Sequence, residues 1–331
     1  MKIAMALLFV AAVGRADDIA LHAFVDGYYA WNSNDPASHE SFISGTGTTA
    51  KRANELNLNL AAVELVKDAA PVGFHLSLVA GNGADVVHAA ESESFRHVYQ
   101  ASVIYKPNGR LTLEGGIFPS HIGFEAFFSK DNWNYTRGWL GELSPYYQTG
   151  VHAGYQFSKQ WSGEIHVLNG WQIINDNNDA KSIGGKIAYS GNRVSASLNT
   201  LDGPELPNDD HHWRHFGDLI ATWKATPKLS VGGSLDRGHQ EPANWLGVGI
   251  YGRYAIDDHH AVAVRAERFR DPDNGISGFA QTLTEATLTY EVRPTPNLIL
   301  KLEGRRDRST ASVFDGSKIQ TLVVAGAVAT F

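Results

Sequence analysis

The stretch NLILKLEGRRD, residues 297–307, decides the fold. Leu298, Leu300 and Leu302 fall on one face of an extended chain, and Lys301, Glu303 and Arg305 fall on the other. Successive side chains of a strand point to opposite sides, so this period of two makes one oily face and one charged face. The pattern recurs along the chain. In WLGVGIYGRYAI (245–256), Leu246, Val248, Ile250, Tyr254 and Ile256 oppose Gly247, Gly249, Tyr251 and Arg253. KLSVGGSLD (228–236) and VGFHLSLVA (72–80) alternate in the same way.

Alternation alone fits a soluble sandwich as well as a barrel. The spacing of the connections separates the two. Strands are expected at 19–31, 54–67, 72–81, 96–106, 110–118, 147–157, 160–170, 181–190, 193–201, 214–225, 228–237, 244–256, 259–270, 279–293, 296–307 and 318–331. Short turns such as PNGR (107–110), SKQ (158–160), TPK (226–228) and DDH (257–259) alternate with long connections, 32–53 and 119–146 among them. Tight turns at one end and loops at the other are the layout of an outer-membrane barrel. The expected fold is therefore all-β, a transmembrane antiparallel β-barrel of 16 strands. The second strand breaks phase at Ala61–Ala62, as at a bulge, and merging two weak segments would leave 14.

Composition agrees. No stretch after Val13 has the ~18 consecutive apolar residues of a membrane helix. Residues 1–16, MKIAMALLFVAAVGRA, read as a signal peptide: Lys2, an apolar run from Ile3 to Val13, then the small residues Gly14 and Ala16. Residues 17–331 would form the barrel. With Lys2 and Arg15 removed, 26 basic residues face 35 acidic ones, a formal charge of −9. That argues against nucleic acid as a partner. Cysteine is absent, which excludes disulfides and thiolate chemistry.

Aromatic residues gather near the strand ends, where the girdles of a membrane barrel lie. Tyr28, Tyr29 and Trp31 close the first strand, and Tyr105, Tyr155, Phe157, Trp161, Tyr189, Trp223, Tyr254 and Tyr290 lie near short turns. In the last segment, TLVVAGAVATF (321–331), Phe331 shares a face with Ala329, Ala327, Ala325 and Val323. The expectation is a lipid-facing strand that closes on the first, with Phe331 as an assembly signal.

Three stretches, HAFVDGYYAWN (22–32), DNWNYTRG (131–138) and SPYYQTGVHAGYQF (144–157), resemble the OmpL-like β-barrel porin family in content, order and spacing. The resemblance implies an outer-membrane barrel with a pore-like role in a Gram-negative cell. It implies no catalytic residues and names no solute.

By phase, the inner face carries Asp26, Glu114, Glu164, Asp218, Asp236, Glu267, Glu285, Glu291 and Glu303, with Lys186, Lys224, Arg253, Arg265, Lys301 and Arg305. Sixteen strands enclose an aqueous channel, and charges in water need no buried partner. Some of these charges are expected to pair along the wall. Nine acids against six bases imply a weak preference for cations.

The segment 119–146 is the longest connection and the third loop on its side. Phe124, Phe127, Phe128, Trp133, Tyr135 and Trp139 would expose a large apolar patch in water. Folded into the lumen, the loop would bury them and present Glu125, Lys130, Asp131, Arg137 and Glu142 to the pore as a constriction. An outer cap or a contact between copies in a homo-oligomer is the other use of such a loop.

DDHH occurs at 209–212 and 257–260, and DPDNG at 271–275. Neither has metal-ligand spacing, so both are expected to be turns, with no cofactor. His75, His152 and His166 have no nucleophile beside them at a recognisable spacing, which argues against an enzyme. The function expected is passive diffusion of small hydrophilic solutes or ions across outer-membrane lipid. A non-conducting adhesin or structural barrel, or a barrel hydrolase, is the alternative.

Overall fold

The computed structural model describes residues 19–331, so the expected signal peptide lies outside the described residues. Sixteen strands form a single closed antiparallel barrel. They are β1 (Ile19–Asn32), β2 (Leu56–Lys67), β3 (Val72–Ala80), β4 (Val98–Tyr105), β5 (Leu111–Pro119), β6 (Tyr147–Gln156), β7 (Trp161–Leu168) and β8 (Ser182–Ser190). The second half comprises β9 (Val194–Pro204), β10 (Trp213–Lys224), β11 (Leu229–Gln240), β12 (Ala243–Ala255), β13 (His260–Asp271), β14 (Gln281–Thr295), β15 (Leu298–Ser309) and β16 (Ile319–Thr330). Each strand pairs with its neighbours in sequence, and β1 pairs with β16, so no edge is left exposed.

The period-two pattern becomes the wall. Along β15 every second residue from Ile299 to Ser309 is buried, while Leu300, Leu302, Gly304, Arg306 and Arg308 are exposed. The apolar faces of all sixteen strands point outward, which in water would be an aggregation hazard and in a bilayer is the lipid contact. Trp31, Tyr105, Tyr155, Phe157, Trp161, Trp223, Tyr254 and Tyr290 are among these exposed side chains. Tyr28 corrects the expected girdle. It points inward and is buried, and its hydroxyl accepts the Arg52 backbone N–H at 2.9 Å.

Closure places Phe331 beside β1. Its N–H donates to the Ala23 carbonyl at 2.8 Å, and the Ala23 N–H donates back to the Phe331 carbonyl at 3.1 Å. The ring is exposed, in phase with the lipid face. The bulge in β2 falls at Asn59, just before the expected position: Asp26 pairs with Leu60, but Gly27 pairs with Leu58. Asn59 and Leu60 are therefore both buried, and the Asn59 amide reaches Asp26 at 2.9 Å.

The barrel has a tall wall and a short one. β12, β13, β14 and β15 run 13, 12, 15 and 12 residues, whereas β4 and β7 have 8 each. Two short helices lie in the long connections, α1 (Asn82–Val87) between β3 and β4, and α2 (Trp139–Glu142) between β5 and β6.

Candidate pore and its inserted segment

β5 and β6 pair as far as Pro119 and Tyr147, and the chain between them turns into the barrel. Its course is set by the inner face of the wall. The Gly123 N–H donates to Asp218 of β10 at 2.8 Å. The Tyr135 N–H donates to Glu303 of β15 at 2.6 Å, and the Thr136 N–H to the same carboxylate at 3.1 Å. The Tyr135 hydroxyl donates to Asp26 of β1 at 2.6 Å. Leu140 N–H donates to Glu267 of β13 at 3.1 Å. Lys301 donates to the Asn132 and Ser129 carbonyls at 2.6 and 3.1 Å. Carboxylates on the wall thus take the loop's free N–H groups, and wall cations take its carbonyls, which is how irregular backbone is tolerated at this depth.

Arg265 is the hub. It is 2% exposed and holds Glu125 of the loop at 2.6 Å and Glu285 of β14 at 2.8 Å. Arg305 holds Asp307 at 2.8 Å and donates to the Arg137 carbonyl. These two guanidiniums survive at this depth because each has an opposite partner and further acceptors. Glycine supplies the remaining fit. A Cβ on Gly326 of β16 would lie 2.4 Å from the Tyr135 ring, so the ring packs flat against bare backbone there.

Three expected pore-lining residues are therefore placed differently. Arg137 does not face open lumen, Glu125 is all but buried at the edge of a cavity of about 230 Å³ and points to Arg265, and Glu142 is half-buried with its carboxylate taken up by backbone N–H groups. Arg137 is fully buried and staples the loop to itself, donating to the Ala126 and Tyr135 carbonyls at 2.8 and 2.7 Å. Glu142 accepts from the Gly47 and Thr48 N–H groups at 2.9 and 3.0 Å, and so clamps the first long connection onto the inserted one. Burial pushes its carboxyl pKa up, and those donors pull it partly back. Lys130 and Asp131 pair at 2.9 Å and do line open space. On the wall, Asp26, Asp218, Asp236, Glu267, Glu285, Glu303, Arg265, Lys301 and Arg305 are buried rather than bathed in water. The loop's donors and acceptors replace the water that the sequence reading put there.

Besides that small cavity under the segment, larger water-accessible space remains on two sides. Beside the short wall, a cavity of about 350 Å³ is lined by Lys106, Arg110, His152, Gln156 and Glu164. The wall here carries a row of pairs, partly exposed except for the buried His166. Glu64 faces His75 at 3.4 Å, Glu114 faces His152 at 3.0 Å, and Glu164 faces His166 at 3.2 Å and Lys186 at 3.6 Å. His121 of the inserted segment stacks on His166 at 4.1 Å, and His166 on His152 at 4.8 Å. The second cavity, about 380 Å³, lies between the loop's tip and the tall wall, among Lys130, Asp131, Trp133, Arg253, Glu291 and Arg293. Arg253 holds Glu291 at 2.9 Å.

His152, Glu164 and His166 have donor atoms within 4.8 Å of one another, so among the described residues they could hold a divalent cation. The Lys186 ammonium already faces that carboxylate. Strand register brings the three together, with His152 directly opposite His166, a relation no linear motif records. Both DDHH copies are turns: Asp209 accepts from the His211 and His212 N–H groups, and Asp257 from those of His259 and His260. In DPDNG, Asp271 closes the turn by accepting from Gly275 N–H at 2.6 Å and Ser277 N–H at 2.8 Å.

A sixteen-stranded barrel with a lipid-facing exterior, a charged interior and a segment folded inside it is an outer-membrane porin of a Gram-negative bacterium. The chain belongs to the family described as "Putative beta-barrel porin-2, OmpL-like", whose model matches residues 18–331. No curated protein matches it. Among solved structures it is similar to an anion-selective porin from Comamonas acidovorans, at 11% identity and a TM-score of 0.63, over 95% of this chain and 99% of that one. It is similar to the outer membrane channel DcaP of Acinetobacter baumannii at 13% identity and a TM-score of 0.63, over 95% and 97%. OmpF of Salmonella typhi, in complex with daunomycin, matches at 11% identity and a TM-score of 0.61, over 95% and 97%. At such identities the likeness is one of fold.

Proposed function

We propose that the chain is a passive diffusion channel for small hydrophilic solutes and ions, with a weak preference for cations and with segment 119–146 as its constriction. The observation that carries this reading is the asymmetric packing of that segment. It is held to the tall wall by buried charges, while the row Glu64–His75, Glu114–His152 and Glu164–Lys186 on the short wall stays partly exposed. Partly exposed charges along an inner wall, with His152 and Glu164 lining an internal cavity, are what a hydrated ion path requires. Acids and bases alternate along that row, so selectivity is weak. The family and fold favour a channel over an enzyme.

Reconstitution in planar bilayers tests this. Stable conductance steps are expected, with a reversal potential under a salt gradient that favours cations modestly. Removing residues 124–137 is expected to raise the unit conductance. A folded barrel that conducts neither with the segment nor without it would instead be a structural or adhesive barrel.

A further inference from the structure

Five arginines point out of the barrel rather than into it. Arg237 of β11, Arg268 and Arg270 of β13, and Arg306 and Arg308 of β15 are all exposed, in phase with Leu235, Val264, Leu300 and Leu302 on the lipid face. All five lie at the same end of the barrel, opposite the tight turns at 226–228, 257–259 and 296–297; β13 and β15 run there into long connections, 272–280 and 310–318, and β11 turns into β12 through Glu241 and Pro242. In this architecture the long connections are extracellular.

Depth follows from strand geometry. A strand advances about 3.3 Å per residue and tilts ~40° from the membrane normal, so Arg306 and Arg308 stand roughly 20 and 25 Å above Leu298. The apolar band of such a barrel is about 25 Å tall. The arginines therefore sit where hydrocarbon gives way to the headgroups of the outer leaflet. Register gathers them into one patch. Arg237 and Arg270 both flank Leu246, and Arg268 and Arg308 both flank Thr284. Strands two apart are roughly 10 Å from each other, within reach of two arginine side chains converging on one anion.

The patch has no internal counter-charge. The inward arginines of the same wall, Arg253, Arg265 and Arg305, all hold carboxylates. Among the described residues, none of the outward five forms an ion pair, and Arg306 reaches only the Thr321 hydroxyl, at 3.5 Å. No Asp or Glu lies on the outward face of β11 to β16; Thr282, Thr284 and Thr321 fill the gaps. Guanidinium forks with hydroxyls between them match phosphate oxygens bidentately.

We propose that this patch binds the phosphate groups of a phosphorylated glycolipid in the outer leaflet, taking the place of the divalent cations that otherwise bridge such phosphates. The site lies on the outside of the tall wall and is independent of the channel path.

The test uses the folded full-length protein in detergent, titrated with bisphosphorylated lipid A and, separately, with the same lipid dephosphorylated, both in the presence of EDTA. The phosphorylated lipid is expected to bind, and to bind more weakly as salt is raised. The dephosphorylated lipid is expected to bind on the order of a hundredfold more weakly. The combined variant Arg237→Gln, Arg268→Gln, Arg270→Gln, Arg306→Gln and Arg308→Gln is expected to lose a similar factor. Its folding is checked by the shift in gel mobility on boiling and by conductance like that of the wild type. Equal binding of the two lipids by the wild-type protein overturns the proposal without recourse to any variant. So does binding that disappears in EDTA, or a folded variant that changes oligomeric state while its lipid affinity stays the same.

Discussion

Arg265 on β13 reaches Glu125 of the inserted segment at 2.6 Å, with the guanidinium out of contact with water and the carboxylate almost so. The two residues are far apart in sequence and belong to different parts of the architecture, one wall and one loop. Their pairing turns a flexible connection into part of the barrel's interior. It also sets the terms on which the wall can be altered.

Replacing Arg265 by Met is expected to cost about 3–5 kcal/mol, because Glu125 would be left without its cation and Glu285 with only the more distant Arg305, at 4.0 Å. Denaturant unfolding of the refolded barrel measures the loss. The same variant should become sensitive to protease between residues 123 and 138. Adding Glu125→Gln and Glu285→Gln to Arg265→Met should recover much of the stability, since no buried charge is then left alone. If Arg265→Met is as stable as the wild type, the hub assigned to this residue does not exist.

Gly326→Val should displace Tyr135. The added side chain would begin 2.4 Å from the ring, and overfilling a packed site costs about 1–3 kcal/mol. Tyr135→Ala in the same chain is expected to relieve most of that cost. Independent, additive effects in the double-mutant cycle would show that the two residues do not touch.

Selectivity should follow the residues that line open space. Asp131→Asn combined with Glu164→Gln is expected to move the reversal potential toward anions, because Asp131 borders one cavity and Glu164 the other. Glu125→Gln alone should change the potential little, since that carboxylate serves Arg265. The opposite ordering of these two variants would put Glu125 in the ion path.

Glu142 gives a pH dependence with a defined sign. Its folded-state pKa is raised by burial, so its contribution to stability is present in full below the ordinary carboxylate pKa and is lost as pH rises through the folded value. Relative to Glu142→Gln, the wild-type barrel should therefore gain stability on acidification from neutral pH. Parallel stability curves for the two proteins would mean that the clamp on Gly47 and Thr48 carries no such linkage.

Much of this protein follows from its sequence because a strand has a period of two and a barrel has only two faces. Leu298, Leu300 and Leu302 on one side and Lys301, Glu303 and Arg305 on the other are enough to orient β15, and the same reading orients the other strands. The alternation of tight turns with long connections then sets the strand number and the two ends, since successive antiparallel strands must reverse at alternate ends of the wall. Tyr28 escaped that reading because its place near the end of β1 looks interfacial until phase is applied, and phase turns it inward.

What period and spacing do not encode is which inward charges stay wet. Asp26, Glu303 and Glu164 share the lumen face by phase, yet the first two are buried under Tyr135 and Thr136 while Glu164 borders a cavity. The difference is set by the path of residues 120–146, which have no repeating pattern of their own. That path is decided by contacts between residues far apart in the chain, such as Arg265 with Glu125 and Tyr135 with Asp26. The stacking of His121 on His166 and the gathering of five arginines on the outer wall arise in the same way, from register and closure. Local pattern determined the wall and its two faces. Only the tertiary structure decided where, inside and outside that wall, charge meets water, protein or lipid, because burial depends on neighbours that the chain brings together when it closes.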